Sequence, residues 1–429
     1  MEFLISLLVI SLGLLVVLRC LDAWGLTGRV FQIFPVAEGS GKWGFPGGSL
    51  PLWKVFLGAM GCRIGLLLAG MMAVMLLSQG DMTLEGCFQR LCQRWDGNHY
   101  VNLIEKGYTG YIENGQHLFL VFFPGYVWAV RLLRLVIPNT VVAGVTLSCF
   151  CYGGACCYLY RLAEDYFDSK TARDFLWYLS LFPFSFFSGM VMTEGLFLFL
   201  TAGACWYARK GNWLLFGLFG ACAALTRMTG VLVIAPAFVE LLAGEKPLAS
   251  PVRESLGRCW KKLLLRLPLI FSPLLGTAGY LLLNAAVDGD PFAFVAHQRH
   301  WYQGYRWISQ VVGYLWDYFV QNLSSSFGWA VWFPTLVLFA GGLVLLALAA
   351  LRREMPPSLL VYGFGFFVAT YSLSWLLSGG RYLSCCFPLF LFLARLTGNR
   401  PRLRNALWAG EALFLGIYFC AYISGAQVM

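Results

Sequence analysis

Residues 94–100 read Arg-Trp-Asp-Gly-Asn-His-Tyr, and this polar stretch interrupts a chain that is otherwise mostly apolar. It continues as Glu-Lys-Gly-Tyr at 105–108 and as Phe-Phe-Pro-Gly-Tyr at 122–126. A carboxylate, an imidazole and an amide within four residues are costly to remove from water unless partners satisfy them. Asp96 is therefore the candidate functional centre, and the apolar segments on either side of it define the fold.

The composition predicts a membrane protein with many spans. Of the 429 residues, 59% are hydrophobic and 12% are charged, whereas soluble domains are roughly 45–50% apolar. The net charge of +10 comes from Lys and Arg clusters between apolar runs, as the positive-inside rule predicts, so nucleic acid is not an expected partner. The 14 cysteines lie largely inside apolar runs and form no disulfide or metal-binding pattern.

The apolar runs predict an all-α transmembrane bundle of about twelve spans. Its N-terminus is placed outside by the basic residues that follow the first run. The expected spans are 3–18, 55–77, 140–160, 175–192, 196–208, 213–225, 231–242, 267–287, 327–351, 359–377, 383–396 and 406–424.

The two long external regions, 78–139 and 288–325, are expected to hold most of the polar residues. Leu84–Leu91 and His99–Ile104 predict short interfacial helices. The segment 118–137 contains Pro124, Arg131 and Arg134. It is predicted to be re-entrant or interfacial, because a crossing there would put the later basic clusters outside. The segment 246–266 is predicted to be a basic cytoplasmic loop.

Two parts are distinguished along the chain. Residues 1–50 are predicted to form an extra N-terminal span and a cytoplasmic linker that is rich in Gly and Pro from Glu38 to Pro51. Residues 51–429 form the main transmembrane domain. The run from Phe3 to Leu18 lacks a basic n-region and a small-residue cleavage site, so it is interpreted as a retained span rather than a signal peptide.

With this orientation, ionisable residues from distant stretches fall on one side of the membrane. A lipid-linked phosphate substrate would need cations for the phosphate and a carboxylate to take a proton from an acceptor. Arg227 and Arg381 are placed for the phosphate, and Asp96 or Glu194 could be the base. The expected supporting residues are Trp95, His99, Tyr100, Glu194, Asp290, His297, Gln298, Trp301 and Tyr382.

The motifs resemble those of one known family. Trp95-Asp96-x-x-His99-Tyr100, followed by Glu105-x-Gly107-Tyr108 and Phe122-Phe123-Pro124, is similar to the first-loop signature of the PIG-V-like mannosyltransferases, relatives of GPI mannosyltransferase 2 with a GT-C fold. Four later stretches agree in order: Thr193-Glu194-Gly195-Leu196-Phe197, Thr226-Arg227-Met228-Thr229-Gly230, Gly289-Asp290-Pro291-Phe292 with Trp301, and Arg381-Tyr382 with Pro388.

The resemblance implies transfer of mannose from a polyprenyl-phosphate carrier to an acceptor hydroxyl, with inversion at the anomeric carbon and Asp96 as the base. The chain departs from the family pattern at Gly125 and Val127, where Leu and Pro are usual, and at Gly195, where Ser is usual. These substitutions could alter the fit of the acceptor.

Several residues also have a purely structural interpretation. Asp96 could cap an interfacial helix, and Asp290 could serve a turn in Asp-Gly-Asp-Pro. Glu194 and Arg227 could form an intramembrane ion pair. Arg227 and Arg381 could reach lipid headgroups, and His99 could bond to the backbone.

The predicted function is a membrane glycosyltransferase, with mannose as the expected sugar. It would use a polyprenyl-phosphate sugar donor and a lipid or glycan acceptor among membrane lipids. No metal ion, nucleotide or other cofactor is expected. Two alternatives are a transporter or flippase of lipid-linked substrates and a non-catalytic subunit of a glycosylation complex. The short loops favour a bacterial cell membrane over the endoplasmic reticulum.

Overall fold

A computed structural model of the chain describes residues 1–26 and 48–428. The described residues form helices joined by short connections, with two isolated β-bridges, Glu113 with Gln116 and Tyr305 with Leu373. The predicted all-α class is confirmed. Most of the predicted linker, with Arg29 and Lys42, lies outside the described residues.

Nineteen α-helices are present in the described ranges. In chain order they are α1 Glu2–Ala23, α2 Leu52–Leu77, α3 Leu84–Cys92, α4 Asp96–Gly110, α5 Pro124–Leu133, α6 Thr140–Tyr166, α7 Ser169–Leu181, α8 Glu194–Arg209, α9 Trp213–Thr226, α10 Ile234–Glu245, α11 Val252–Ile270, α12 Pro273–Asp288, α13 Ala293–His297, α14 Ile308–Gln321, α15 Phe333–Leu351, α16 Pro357–Thr370, α17 Gly379–Leu383, α18 Phe387–Thr397 and α19 Pro401–Ser424. Short 3₁₀ turns cover Leu118–Val121, Ser185–Gly189, Met228–Val233 and Gln298–Trp301.

Seven helical segments of the described chain are long and apolar enough to cross a membrane, and the chain is an integral membrane protein. They are Glu2–Ala23, Leu52–Leu77, Thr140–Tyr166, Met228–Glu245, Val252–Asp288, Gly328–Leu351 and Pro401–Ser424. The other predicted spans coincide with shorter helices, among them α8, α9, α16 and α18. The number twelve therefore remains a prediction.

Polar side chains start several of these helices. Asn139 accepts hydrogen bonds from the backbone N–H groups of the first turn of α6, and Asp168 accepts one from the first turn of α7. Asn212 does the same for α9. These caps satisfy N–H groups that have no partner inside the helix. The short polar connections between apolar runs thus fix where each helix begins.

The segment predicted as a span over 175–192 is not one continuous helix. α7 ends at Leu181, because Phe182 precedes Pro183 and a residue before proline avoids the helical conformation. Arg63 of α2 pairs with carbonyl groups that have no partner inside the helix. Its guanidinium donates to Ser180 O at 2.7 Å and to Ser185 O at 2.6 Å. A cation is also favoured at a helix C-terminus by the helix dipole.

The first external region contains the short helices that the sequence predicted. α3 and α4 include the two predicted interfacial segments, and α5 covers ten residues of the stretch 118–137. Ten residues of α-helix rise only about 15 Å, half the thickness of the hydrocarbon core. The predicted short helices in this region are therefore present, and their position at the interface remains a prediction.

The predicted basic loop over 246–266 is largely helical. α11 begins at Val252, directly after Pro251, which occupies the N-cap position. The sequence prediction missed it because clustered cations suggested a loop, although apolar residues recur among them at helical spacing.

α1 packs against the other helices of the bundle. Trp307 Nε1 donates to Ser6 Oγ at 2.9 Å near the start of α1, and Arg19 Nη2 donates to Met355 O at 3.1 Å near its end. The core residues Val9, Leu12 and Val16 are buried. The division at residue 50 remains a prediction.

Two ends of the bundle differ in polarity. α8 begins at Glu194 and ends at Arg209, which pairs with Asp165 at 2.9 Å. Because an α-helix rises about 1.5 Å per residue, these two ends lie about 22 Å apart. Arg209 and Lys210, which follow the predicted span 196–208, thus lie at the opposite end of α8 from Glu194.

Candidate active site

Asp96 is the first residue of α4, and its side chain does not cap that helix. The preceding Trp95 has φ 53°, a left-handed conformation that costs residues other than glycine about 1–3 kcal/mol. The chain therefore turns sharply just before Asp96. Asp96 Oδ2 accepts from Arg381 Nη1 at 2.5 Å, whereas Oδ1 has no partner among the described residues, and 29% of the side chain is exposed. The capping interpretation of Asp96 is wrong.

Glu194 lies at the N-terminus of α8 and is completely buried. Its Oε1 accepts from Arg381 Nε at 2.5 Å and from Arg227 Nη2, while Oε2 has no hydrogen-bond partner within the described chain. A carboxylate is favoured at a helix N-terminus by the dipole, and a buried one needs compensating cations. Glu194 thus fixes two arginines that come from distant parts of the sequence.

Arg227 follows the last residue of α9, where the backbone becomes extended. Its Nε donates to Thr193 Oγ1 at 2.7 Å, and its guanidinium lies 5.8 Å from the centre of the Tyr382 ring. The side chain is 14% exposed, against 2% for Arg381. The sequence places two cations here, but the structure shows that Arg227 is the more accessible one.

Arg381, in the short helix α17, bridges the two carboxylates Asp96 and Glu194. Together with Arg227 these groups form one continuous ion-pair network of two anions and two cations. The network joins the first external region, α8, the end of α9 and the segment before α18. The predicted gathering of these residues at one end of the bundle is thus present in the structure, at the end of α8 opposite Arg209.

Two departures from the family motifs have a packing explanation. A Cβ atom at Gly195 would lie 2.5 Å from the carbonyl oxygen of Ser148, and one at Gly125 would lie 2.5 Å from Thr226 Oγ1. Both glycines therefore allow close helix contact directly beside the ion-pair network. A larger residue at either position would push α8 or α5 away from its neighbour.

Aromatic rings form a wall one helical turn beyond Asp96. The His99 ring lies 4.9 Å from Phe119 and 5.4 Å from Phe122, and its Nδ1 is 3.0 Å from the Tyr111 hydroxyl. Trp301, from the second external region, packs edge-on against both phenylalanines. Burial lowers the pKa of His99 below 6.5, although Asp96 and Glu113 oppose the shift. The lowered pKa favours the neutral form of the ring.

Of the other predicted residues, Tyr100 lies behind the network and Asp290 lies in an exposed turn. Tyr100 is buried and packs edge-on against Phe122 and Tyr126 behind the network. Asp290 is exposed, and its Oδ1 accepts from Phe292 N at 2.9 Å, as in a turn.

His297 pairs with Asp288, 2.9 Å from Nε2 to Oδ2, and does not contact the network. Gln298, next along the chain, is half-buried. The second external region therefore reaches the site through Trp301.

Some residues of the site were not found from the sequence. Tyr111 and Phe119 stack on each other with ring centres 3.8 Å apart, and Cys385 Sγ lies 3.8 Å from Arg227 Nη1. They stand in aromatic or apolar surroundings that give no signal of a site. Only their position beside His99 and Arg227 distinguishes them.

Within residues 1–26 and 48–428, no group of three or more His, Cys, Asp or Glu side chains is arranged to hold a metal ion. A cavity of about 150 Å³ is lined by Val74, Leu77, Arg90, Ile423 and Ser424, and none of the network residues lines it.

Comparison with known proteins gave one family match. Residues 123–275, less than half of the chain, match the profile of the dolichyl-phosphate-mannose-protein mannosyltransferases. The matched part contains Glu194 and Arg227 but neither Asp96 nor Arg381. No curated protein matched significantly. The PIG-V-like resemblance therefore stays a prediction.

Several solved structures are similar in outline. ArnT from Cupriavidus metallidurans, bound to undecaprenyl phosphate, is 14% identical with a TM-score of 0.48, and the match covers 84% of this chain and 63% of that one. The oligosaccharyltransferase AglB from Archaeoglobus fulgidus, in complex with an inhibitory peptide and a dolichol-phosphate, is 15% identical with a TM-score of 0.44, over 86% of this chain and 56% of that one. The chain thus spans less than two thirds of the length of either structure, and its similarity to a known family lies in residues 123–275.

Proposed function

We propose that the chain is an integral-membrane glycosyltransferase that moves a sugar, mannose, from a polyprenyl-phosphate carrier to an acceptor hydroxyl. The observation that carries this proposal is the series of ion pairs from Asp96 through Arg381 and Glu194 to Arg227. It connects a partly exposed carboxylate, Asp96, with a partly exposed cation, Arg227. The family match over residues 123–275 supports the same reaction class. The motif resemblance supports mannose.

Asp96 is suited to act as the general base. Its Oδ2 is held by Arg381, and its Oδ1 makes no hydrogen bond to the described residues, so one oxygen is available for the acceptor. In the proposed step Oδ1 takes the acceptor proton, the acceptor oxygen bonds to the anomeric carbon, and the bond from that carbon to the phosphate oxygen breaks. The electron pair leaves with the lipid phosphate, and attack opposite the leaving group inverts the anomeric carbon.

Arg227 is suited to bind the leaving phosphate. It is the more exposed arginine, and Thr193 and Glu194 hold its guanidinium in place. A fixed cation stabilises the charge that grows on the phosphate as the bond breaks. Arg381 is almost fully buried between Asp96 and Glu194, so we assign it a positioning role for the base and not the direct phosphate contact suggested by the sequence.

The aromatic wall is suited to bind a sugar ring. Phe122 packs against His99 one turn from Asp96, and Trp301 packs edge-on against Phe122. The apolar C–H surface of a sugar packs on aromatic faces. This arrangement supports a carbohydrate substrate near the base.

The proposed location is a bacterial cell membrane.

The direct test is transfer by the purified protein from radiolabelled polyprenyl-phosphate-mannose to candidate acceptors. Asp96→Asn is expected to lower the turnover number by about 10²–10⁴-fold, the usual contribution of a general base. Asp165→Asn is the matched control, because Asp165 is a partly exposed carboxylate paired with Arg209 and Lys210 at the opposite end of α8.

The same preparation separates the alternatives. Full activity in a correctly folded Asp96→Asn variant would refute the proposed base. Movement of labelled carrier across vesicles without sugar transfer would favour a transporter. Transfer that needs a second protein would favour a subunit of a complex.

A further inference from the structure

α11 is attached to the bundle along one narrow stripe. Ser255, Cys259 and Ile270 are buried, whereas nearly all other residues from Val252 to Leu265 are exposed. Nineteen residues of helix are therefore held by a small part of their surface. The two remaining faces differ in chemistry.

One exposed face of α11 is apolar. Leu256, Trp260 and Leu264 follow one another at intervals of four residues, so they form a single stripe along the helix. Their exposed fractions are 47%, 59% and 48%. Exposed apolar side chains in a row, including a tryptophan, are typical of a helix that lies at the boundary between lipid headgroups and acyl chains.

The neighbouring face carries two cations and one carboxylate, Glu254, which forms no ion pair with either of them. Arg258 and Lys261 are exposed, and neither forms an ion pair with any described residue. By contrast, Lys262 and Arg266 both pair with Glu245, the last residue of α10, at 3.1 and 3.2 Å. The structure thus neutralises the cations that face the bundle and leaves Arg258 and Lys261, as well as Arg253 in the first turn, without an ion pair to any described residue.

The position of α11 agrees with a membrane surface. Arg266 lies 5.9 Å from the ring of Trp213, the first residue of α9, and α8 ends at Arg209 just before it. The C-terminal half of α11 therefore lies at the basic end of the bundle, opposite the Asp96 network. It continues into α12 within the candidate span Val252–Asp288.

We propose that α11 lies on the membrane surface at the basic end of the bundle and binds anionic phospholipid through Arg258 and Lys261. The apolar stripe enters the acyl boundary, and the two cations contact lipid phosphate groups. Each Lys or Arg near an anionic surface strengthens binding about fivefold, so the pair gives a preference of roughly 10- to 30-fold for anionic over zwitterionic lipid. The proposal is independent of the enzymatic function.

The test uses the full chain in vesicles with brominated lipids, which quench nearby tryptophans. The quenching of Trp260 is the difference between the wild type and Trp260→Phe. Brominated phosphatidylglycerol is compared with brominated phosphatidylcholine at equal mole fraction. Trp260 is expected to prefer phosphatidylglycerol, the R258Q/K261Q variant to lose that preference, and 0.5 M salt to weaken it by screening.

A matched control removes two other exposed cations from the basic end, in R400Q/R402Q. This variant is expected to keep the preference at Trp260. Equal quenching by the two lipids in the wild type would overturn the proposal, as would a preference that survives R258Q/K261Q. Absence of quenching by either lipid would place α11 in water and would also overturn it, leaving the face free for a soluble acidic partner.

Discussion

Glu194→Gln should cost the protein a large part of its stability. The substitution keeps the size of the side chain but leaves Arg227 and Arg381 without their shared buried counter-ion. Removing one partner of a buried ion pair usually costs about 3–5 kcal/mol, because the remaining charge stays buried without compensation. Glu194 is completely buried, so we expect a loss in that range and not the ~0–1 kcal/mol of a surface pair.

The double variant E194Q/R381Q tests this explanation. It removes one anion and one cation, so Asp96 and Arg227 still balance each other. The combined loss should be smaller than the sum of the two single losses by about 0.5–3 kcal/mol, the usual coupling between groups in one network. The free energies come from denaturant titrations of the purified protein in mixed micelles, with tryptophan fluorescence as the signal.

Glu240→Gln is the matched control for Glu194→Gln. Glu240 is 13% exposed and accepts from Tyr166 and Ser358, and its cation, Arg209, is 36% exposed and can be solvated. Its loss should be clearly smaller. A cost below about 1 kcal/mol for Glu194→Gln, or single losses that add exactly in the double variant, would refute the view that Glu194 is the electrostatic anchor of the site.

Three further predictions concern the reaction and its pH dependence. Arg227→Gln should raise the KM for the lipid-phosphate donor and also lower the turnover number by about 10²-fold, as loss of one charge-stabilising group does; unchanged donor kinetics would exclude it from the phosphate site. Arg381→Lys should lower the turnover number with little change in the donor KM, because it positions Asp96; a change confined to KM would contradict this. The pKa of His99 is lowered in the folded state, so the unfolded state binds its proton first. Stability should therefore fall as the pH drops below about 6.5, and this component should vanish in His99→Phe, as measured by melting temperature against pH.

The motifs indicated the right residues for the network but not how they are connected. The sequence order shows Asp96, Glu194, Arg227 and Arg381 in four separate stretches, and hydropathy places them at one side of the membrane. It gives no way to see that Arg381 touches both carboxylates and is buried, while Arg227 remains partly exposed. Side-chain partners across hundreds of residues depend on helix packing, which the local sequence does not encode.

Helix ends show the same limit. Pro183 gives a clear reason for α7 to end, yet the apolar residues after it suggested a span to residue 192. The break is tolerated because Arg63, in the distant helix α2, donates to the free carbonyl groups. Without that contact the unpaired carbonyls would be costly in an apolar environment.

By itself, the sequence determined that the chain is a membrane-embedded bundle of helices, because long apolar runs must cover their backbone groups with internal hydrogen bonds in lipid. It also indicated a few polar residues as candidates for the chemistry, because desolvated charges are retained only where partners compensate them. The tertiary structure alone decided which of those charged side chains are buried and which are accessible. Close helix packing, which glycines such as Gly195 allow, leaves Asp96 and Arg227 partly exposed and buries Arg381 and Glu194, which hold them in place.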